Sequence, residues 1–257
     1  NFYDSERDIR PIKKGIWQLI TLLCAKYEVN ISQQEYSDVN FDKDYYPLIE
    51  KNRSYGAELY DAVKQLPEFM RLVTKTDNEM LVEDLFQTNR VGLASLGYGI
   101  RMDNPNEDQY RSLWHYEYRD QLRSQKGVVF WSPLIEMFEE VGPVQVARRS
   151  HKKGLYKSFL TDTENPMKKG AYAMRLENEE SLLEEFGITQ PLSKPGDLIL
   201  IDFLTLHSSG INISKRTRWS MQYRYFDMNH ITGINIGWKG VSNNLKLMDV
   251  HPELIVK

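Results

Sequence analysis

The chain carries five histidines, few enough that each can be asked whether it could join the others around one centre. His115 stands in Trp114-His115-Tyr116-Glu117. Alternate residues of an extended segment point the same way, so an imidazole and a carboxylate would leave one face together. A third donor has to come from far along the chain. His207 fits, because it ends the apolar run that begins at Asp197 and precedes the turn-like Ser208-Ser209-Gly210. Two imidazoles and one carboxylate grip a metal from one side and leave the other open, which suits Fe(II) that binds a chelating co-substrate and oxygen together. A His-x-Glu triplet is common by chance, so by itself it is weak evidence for a metal site.

Arg218 strengthens the case. It lies eleven residues after His207, in Lys215-Arg216-Thr217-Arg218-Trp219, where a turn and a return strand would bring it back toward that histidine. A guanidinium forms bidentate, charge-assisted pairs with carboxylates, so an arginine buried beside a metal suits a dicarboxylate whose other end chelates the ion. Without the histidines Arg218 would read as a surface strand arginine, the reading given to Arg216 and Arg224. Arg101, on the strand-like run before His115, is a candidate to face the same pocket and touch a substrate acid or the near carboxylate of the co-substrate. His151 reads as structural or as an outer partner of the site, His230 and His251 as solvent-facing, and Cys24 as part of a helix's apolar side. Trp17 and Trp114 read as core or interface residues.

The elements that would position these residues change character along the chain. Up to about residue 90 the pattern is helical, with Ile16, Ile20 and Leu23 at helical spacing, then Leu59, Val63, Leu66, Met70 and Leu72 with a slip at Pro67. A third helix is expected after a cap at Asp77-Asn78, with Met80, Leu81, Leu85 and Phe86 as its apolar side. Ser37 to Tyr46 reads as a loop. From Val91 onward the texture is short β-like runs: Val91 to Met102, Val128 to Leu134, Val144 to Arg148, Ala171 to Leu176, Asp197 to His207 and Arg218 to Phe226. Turn signals such as Asn104-Pro105, Gly142-Pro143, Asn165-Pro166 and Lys194-Pro195-Gly196 separate them, and Glu179 to Phe186 reads as an inserted helix. Many short strands argue for a sandwich or barrel, and a jelly roll commonly houses a metal in its mouth. The organisation expected is one domain over 1–257: a helical scaffold over 1–90, a double-stranded β-helix core, cupin-like, over 91–230, and a C-terminal extension over 231–257. Thr161 to Gly170 is a candidate lid on the strength of its turn residues.

Composition narrows the function classes. Hydrophobic residues at 41% and charged residues at 27%, with a net charge of −3, describe an ordinary globular chain with no footprint for nucleic acid. The basic cluster Arg148-Arg149 with His151-Lys152-Lys153 reads as a solvated loop. A single cysteine rules out an intramolecular disulfide and a thiolate zinc site. The apolar runs are too short to span a membrane as a helix. No secretory signal is visible, giving an expectation of a cytoplasmic protein, although the chain opens at Asn1 and a removed leader would leave no trace. Oligomeric state leaves no mark on the sequence.

Three segments resemble the phytanoyl-CoA dioxygenase family of Fe(II)- and 2-oxoglutarate-dependent oxygenases. Trp114-His115-Tyr116-Glu117-Tyr118 is similar to its Trp-His-x-Asp or His-x-Glu element; Val129-Phe130-Trp131-Ser132-Pro133-Leu134, through Gly142-Pro143 to Ser150-His151-Lys152, is similar to its Trp-x-Pro-Leu strand, Gly-Pro turn and Ser-His-Lys ending. Gly196-Asp197 through His207-Ser208-Ser209-Gly210 to Arg218 is similar to its distal His-x-Ser-Gly with an arginine eleven residues on. The resemblance implies that His115, Glu117 and His207 carry Fe(II), that Arg218 and Ser209 bind the far carboxylate of 2-oxoglutarate, and that Trp131 lines the co-substrate pocket. It further implies that O2 is the second co-substrate and that an aliphatic carbon of a small molecule is hydroxylated, with release of succinate and CO2. Two departures stand out: Glu117 replaces the commoner Asp, and Arg148-Arg149 replace the usual Pro-Gly. Desaturation and ring closure stay open. So do two rivals: a jelly-roll metalloenzyme that makes no use of 2-oxoglutarate, for which Arg218 and Ser209 would be superfluous, and a non-catalytic binding module, which leaves the metal donors unexplained. The tyrosine-rich stretches around Tyr45-Tyr46, Tyr98, Tyr116 and Tyr118 suit a polar small molecule and packing equally.

Overall fold

The computed structural model describes residues 1–32, 35–160, 174–240 and 246–256, so the candidate lid at Thr161 to Gly170 and the turn at Asn165-Pro166 lie outside the described residues. The strands are β1 (Val91–Leu93), β2 (Gly99–Asp103), β3 (Gly127–Pro133), β4 (Val144–Ala147), β5 (Ser158–Leu160), β6 (Met174–Leu176), β7 (Ile188–Thr189), β8 (Ile199–Asp202), β9 (His207–Ser209) and β10 (Arg218–Asp227). All named pairings are antiparallel. The long β10 is the spine of the larger sheet, with β1 and β2 sharing one edge of it and β3 then β8 on the other. A smaller sheet runs β7-β4-β9, and β5 pairs with β6. This two-sheet antiparallel arrangement is the jelly-roll core expected.

Two of the expected strands are broken, and each break matters. Asp197 to His207 divides into β8 and β9 because the Asp202 carboxylate accepts the Leu204 backbone N–H at 2.7 Å and the Asp202 carbonyl accepts that of Thr205 at 2.8 Å. That Asx turn takes the chain out of the larger sheet and into the smaller one, which places His207 across from the sheet that carries Arg218. Val91 to Met102 likewise divides at Leu96-Gly97, where Leu96 is left-handed at φ 61°. Gly142 has φ +70°, and a Cβ there would lie 2.5 Å from the Ile211 carbonyl oxygen, so the expected Gly-Pro turn also sets how close β4 comes to the end of β9.

The first ninety residues are helical, as their periodicity indicates. Asp4 caps the first turn by accepting the Glu6 and Arg7 backbone N–H groups, and the helix Arg10–Lys26 buries Ile12, Ile16, Ile20 and Cys24 at four-residue spacing. The slip at Pro67 is a true boundary between helices Tyr55–Val63 and Pro67–Val73. The third helix, Thr76–Phe86, departs from expectation. Asn78 lies inside it and fully buried, accepting from the Tyr3 hydroxyl at 2.8 Å and donating to the Leu72 carbonyl at 2.7 Å. It therefore staples elements together where a cap was expected, while Met80 and Leu85 turn outward at 58% and 49% exposure. The expected loop at Ser37 to Tyr46 ends early, because Tyr45 opens a helix running to Lys51.

These helices cover one face of β10. Trp219, Met221, Tyr223 and Tyr225 point into them; Phe41 and Tyr45 pack edge-on against Trp219, whose indole N–H donates to Asp42 at 2.8 Å, and the Tyr225 hydroxyl donates to the Val73 carbonyl at 2.7 Å. Each such burial contributes about 1.5–3 kcal/mol, enough to hold the spine against the scaffold. The alternate residues Arg218, Ser220, Gln222 and Arg224 necessarily face the other way, toward the smaller sheet. Among the described residues no helix is long and apolar enough to cross a membrane.

Candidate active site

His115 and His207 meet across an isolated antiparallel bridge, each backbone N–H donating to the other's carbonyl at 3.0 and 3.1 Å. Directly opposed residues of such a pair put their side chains on one side, and the two imidazole centroids are 4.3 Å apart. Each ring is fixed by its own local carbonyl: Nδ1 of His115 lies 2.7 Å from the Leu113 oxygen and Nδ1 of His207 lies 2.9 Å from that of Thr205. A carbonyl can only accept, so both Nδ1 atoms carry the proton and both Nε2 atoms offer a lone pair. Burial, with His207 close by, lowers His115 to about 3, and burial lowers His207 as well, so both rings are neutral, as metal ligands must be.

Glu117 completes the set by a route the sequence did not indicate. The chain is extended only as far as Tyr116; Glu117 is the first residue of the helix Glu117–Gln121, and this turn swings its carboxylate in beside the imidazoles. Its Oε2 is 3.9 Å from Nε2 of His207, and one donor atom from each of His115, Glu117 and His207 lies within 4.8 Å of the others. Burial alone would raise the Glu117 carboxyl, but the Arg224 guanidinium outweighs it, and the group is held at about 2. Three buried, deprotonated donors with an open side fit a divalent metal of the two-histidine, one-carboxylate type.

Arg224 corrects the surface reading given to it. It is largely buried and forks onto Glu117, with Nε and Nη2 donating at 2.9 and 3.2 Å to the two carboxylate oxygens. Arg216, given the same reading, is partly buried and paired with Asp42 at 2.9 Å. Arg218 is 2% exposed, and its Nη2 sits 2.8 Å from Asp103. Asp103 is shared with Arg101, at 2.7 Å. Burial would push the Asp103 carboxyl up, but the two guanidinium groups hold it well below the usual carboxylate range.

The metal donors open onto a cavity of about 180 Å³ that Arg101, Trp131 and Ser209 also line. Arg218 does not line it, though it sits on the same face of β10 as Gln222 and Arg224, which do. Between them Ser220 is 1% exposed, and its hydroxyl has no hydrogen-bond partner among the described residues. Sequence reasoning missed Arg224, Ser220, Asp103 and Asp120, which also lines the cavity. The period-two row from Arg218 to Arg224 was the available signal for two of them.

The remaining histidines are peripheral. His151 is exposed, within the expected solvated basic loop. His230 is partly buried and His251 is 7% exposed, contrary to the solvent-facing reading. The cause for His251 is the C-terminal segment, which returns to pair Ile255 with Leu155. Trp114 is buried and Trp17 packs on the core, as expected; Tyr45, Tyr116 and Tyr118 are buried while Tyr46 is exposed.

Fold and donors together define a class: a jelly-roll protein with a candidate two-histidine, one-carboxylate metal site. A family model described as phytanoyl-CoA dioxygenase matches residues 41–220, and the chain belongs to that family. No curated protein matches. Among solved structures, the chain is similar to the epimerase SnoN in complex with Fe3+, alpha ketoglutarate and nogalamycin RO, at 16% identity and a TM-score of 0.52 over 85% of this chain and 89% of that one. It is also similar to EctD from S. alaskensis in its apoform, at 18% identity and a TM-score of 0.48 over 65% of this chain and 55% of that one. EvdO2 from Micromonospora carbonacea var. aurantiaca matches at 15% identity and a TM-score of 0.49, over 69% of this chain and 65% of that one. The matched part thus spans less than two thirds of EctD and of EvdO2. The likeness to SnoN describes the fold.

Proposed function

We propose that the protein oxidises an aliphatic C–H bond of a small-molecule substrate, with His115, Glu117 and His207 holding Fe(II) and Arg218 and Ser209 binding the far carboxylate of 2-oxoglutarate. The convergence of two tautomer-fixed imidazoles and one carboxylate carries the reading. When bound, the iron and its co-substrate supply the oxidising chemistry, with O2 consumed and succinate and CO2 released. The chain's own residues do the rest. The Leu113 and Thr205 carbonyls keep both Nε2 atoms aimed at the ion, and Arg224 holds Glu117 ionised and in place. Asp103 keeps Arg218 and Arg101 in position, and the orphaned Ser220 hydroxyl beside Arg218 is suited to a carboxylate oxygen. Trp131 forms part of the wall against which the co-substrate would lie.

Hydroxylation is favoured over halogenation, because Glu117 fills the carboxylate position that a halide would otherwise need. Epimerisation is the second reading, since a protein of this fold, SnoN, is described as an epimerase. The test needs no substrate. Anaerobic protein is titrated with Fe(II) and then with 2-oxoglutarate while the weak visible charge-transfer band of the chelate is followed. The band should appear in the wild type, vanish in Glu117→Ala and weaken in Arg218→Ala. Folded, iron-loaded protein that shows no band would favour a jelly-roll metalloenzyme without 2-oxoglutarate.

A further inference from the structure

A second cavity, of about 470 Å³, adjoins the metal cavity, and Asp120 lines both. Its size is within the range that takes whole small molecules. Leu155, Leu247, Met248 and Ile255 give it a largely apolar wall, and Arg119, Lys157 and Lys246 also line it, leaving Asp120 as its one acidic group among the described residues. Asp120 stands three residues after Glu117 on the same short helix, so both carboxylates leave one helical face. Their surroundings differ. Glu117 is paired with Arg224, whereas Asp120 has no hydrogen-bond or ion-pair partner among the described residues. Its neighbour Arg119 lines the same cavity but directs its hydrogen bonds to the Ser158 hydroxyl and the Met174 sulfur. Deeper in the wall the Tyr116 hydroxyl, on a residue 2% exposed, makes no well-formed hydrogen bond, the Tyr156 backbone being its polar neighbour.

We propose that this cavity is the substrate chamber and that Asp120 is its anchor, taking a compact, mainly apolar molecule through a protonated amine and presenting the adjacent carbons to the metal. The inference rests on the proposed oxygenase reading for what happens to those carbons, but the binding itself does not. A carboxylate next to Glu117 in a partly apolar wall is disfavoured in its charged form: burial, then that neighbouring charge, raises Asp120 to about 6 against the opposing pull of Arg119 and Arg224. An ammonium offsets both effects, and its charge-assisted hydrogen bond is roughly twice as strong as a neutral one. Glu117 does not take this role, because it is already paired with Arg224 and grouped with His115 and His207. The Tyr116 hydroxyl offers a second polar contact along an otherwise apolar body.

The test is calorimetry on metal-free protein with three probes of one chain length: hexylammonium, 1-hexanol and hexanoate. Hexylammonium should bind roughly tenfold more tightly than 1-hexanol, hexanoate most weakly, and Asp120→Asn should erase the preference for the amine. Tyr116→Phe, which keeps the ring, should weaken all binding modestly. Equal binding of the amine and the alcohol, a preference for hexanoate through Arg119, Lys157 and Lys246, or an amine preference that survives Asp120→Asn would each overturn the proposal. If the amine preference holds while the iron and 2-oxoglutarate band never forms, the chamber stands and the oxygenase reading fails. The converse pattern separates them the other way.

Discussion

The guanidinium of Arg224 lies in a fork against Glu117, 2.9 and 3.2 Å from the two carboxylate oxygens, while the same carboxylate is 3.9 Å from the His207 ring. One of the proposed metal donors is therefore oriented by a cation on the spine of the larger sheet. Arg224 also donates to the Gly97 carbonyl at 3.1 Å, so the loop between β1 and β2 helps fix it.

Two effects compete when Arg224 is removed. Its positive charge repels a divalent ion, but its fork keeps the longer Glu side chain from leaving the site. Orientation by outer partners is typically worth about 10–100-fold in metal affinity, and at this burial we expect it to win. Arg224→Met should weaken Mn(II) or Fe(II) binding about tenfold with the fold intact by circular dichroism. Tighter metal binding in that variant would mean that the arginine's charge, not its geometry, dominates.

Arg218 tests the co-substrate side. Arg218→Lys keeps the charge but loses the planar fork that pairs with Asp103. The affinity for 2-oxoglutarate, read from the charge-transfer titration, should fall about tenfold or more while the Fe(II) affinity moves little. A parallel loss of both would place Arg218 among the residues that build the metal site and not among those that clamp the dicarboxylate.

Much of this was legible because the local patterns carry physical instructions. Polar residues after an apolar run mark where a strand-like stretch ends, and His207 lies where the chain enters the smaller sheet; the helical spacing of Ile16, Ile20 and Leu23 marks a helix face turned to the core. What escaped depended on partners distant in the chain. Arg224 read as a surface residue because nothing near it in sequence shows that Glu117, 107 positions away, neutralises it. Asn78 read as a cap for a similar reason: cap residues and buried staples draw on the same short polar side chains, and only the Tyr3 hydroxyl tells them apart. Glu117 converges with His115 although the extended geometry ends at Tyr116, so the expected convergence came from a partly incorrect local structure.

Ser220 separates stability from binding. A buried hydroxyl without a partner costs about 1–3 kcal/mol relative to one that is paired. Ser220→Ala should therefore leave the ligand-free protein equally stable or slightly more so in a thermal melt. The same variant should lose several-fold in 2-oxoglutarate affinity, because the hydroxyl's partner is expected to arrive with the co-substrate. A clear drop in the ligand-free melting temperature would show that Ser220 is satisfied without ligand and would remove it from the clamp.

Asp103 predicts the acid side of the stability profile. Its folded-state pKa is depressed, since Arg101 and Arg218 outweigh burial, whereas in the unfolded chain it titrates near ~3.9. A depressed carboxyl contributes stability that is fully present above the unfolded value and is lost as pH falls toward the folded one. Asp103→Asn leaves two buried guanidinium groups facing a neutral amide, a loss of about 3 kcal/mol or more near neutrality, which corresponds to a melting temperature lower by on the order of 10 °C. Melts of metal-free wild type and variant should differ by a constant amount between pH 5 and 7 (about one to three units above ~3.9), begin to converge below about pH 4 and go on converging as the pH falls toward the folded value. Curves that stay parallel down the whole acid limb would mean that the Asp103 charge contributes nothing to stability and that its place between the arginines is a matter of packing.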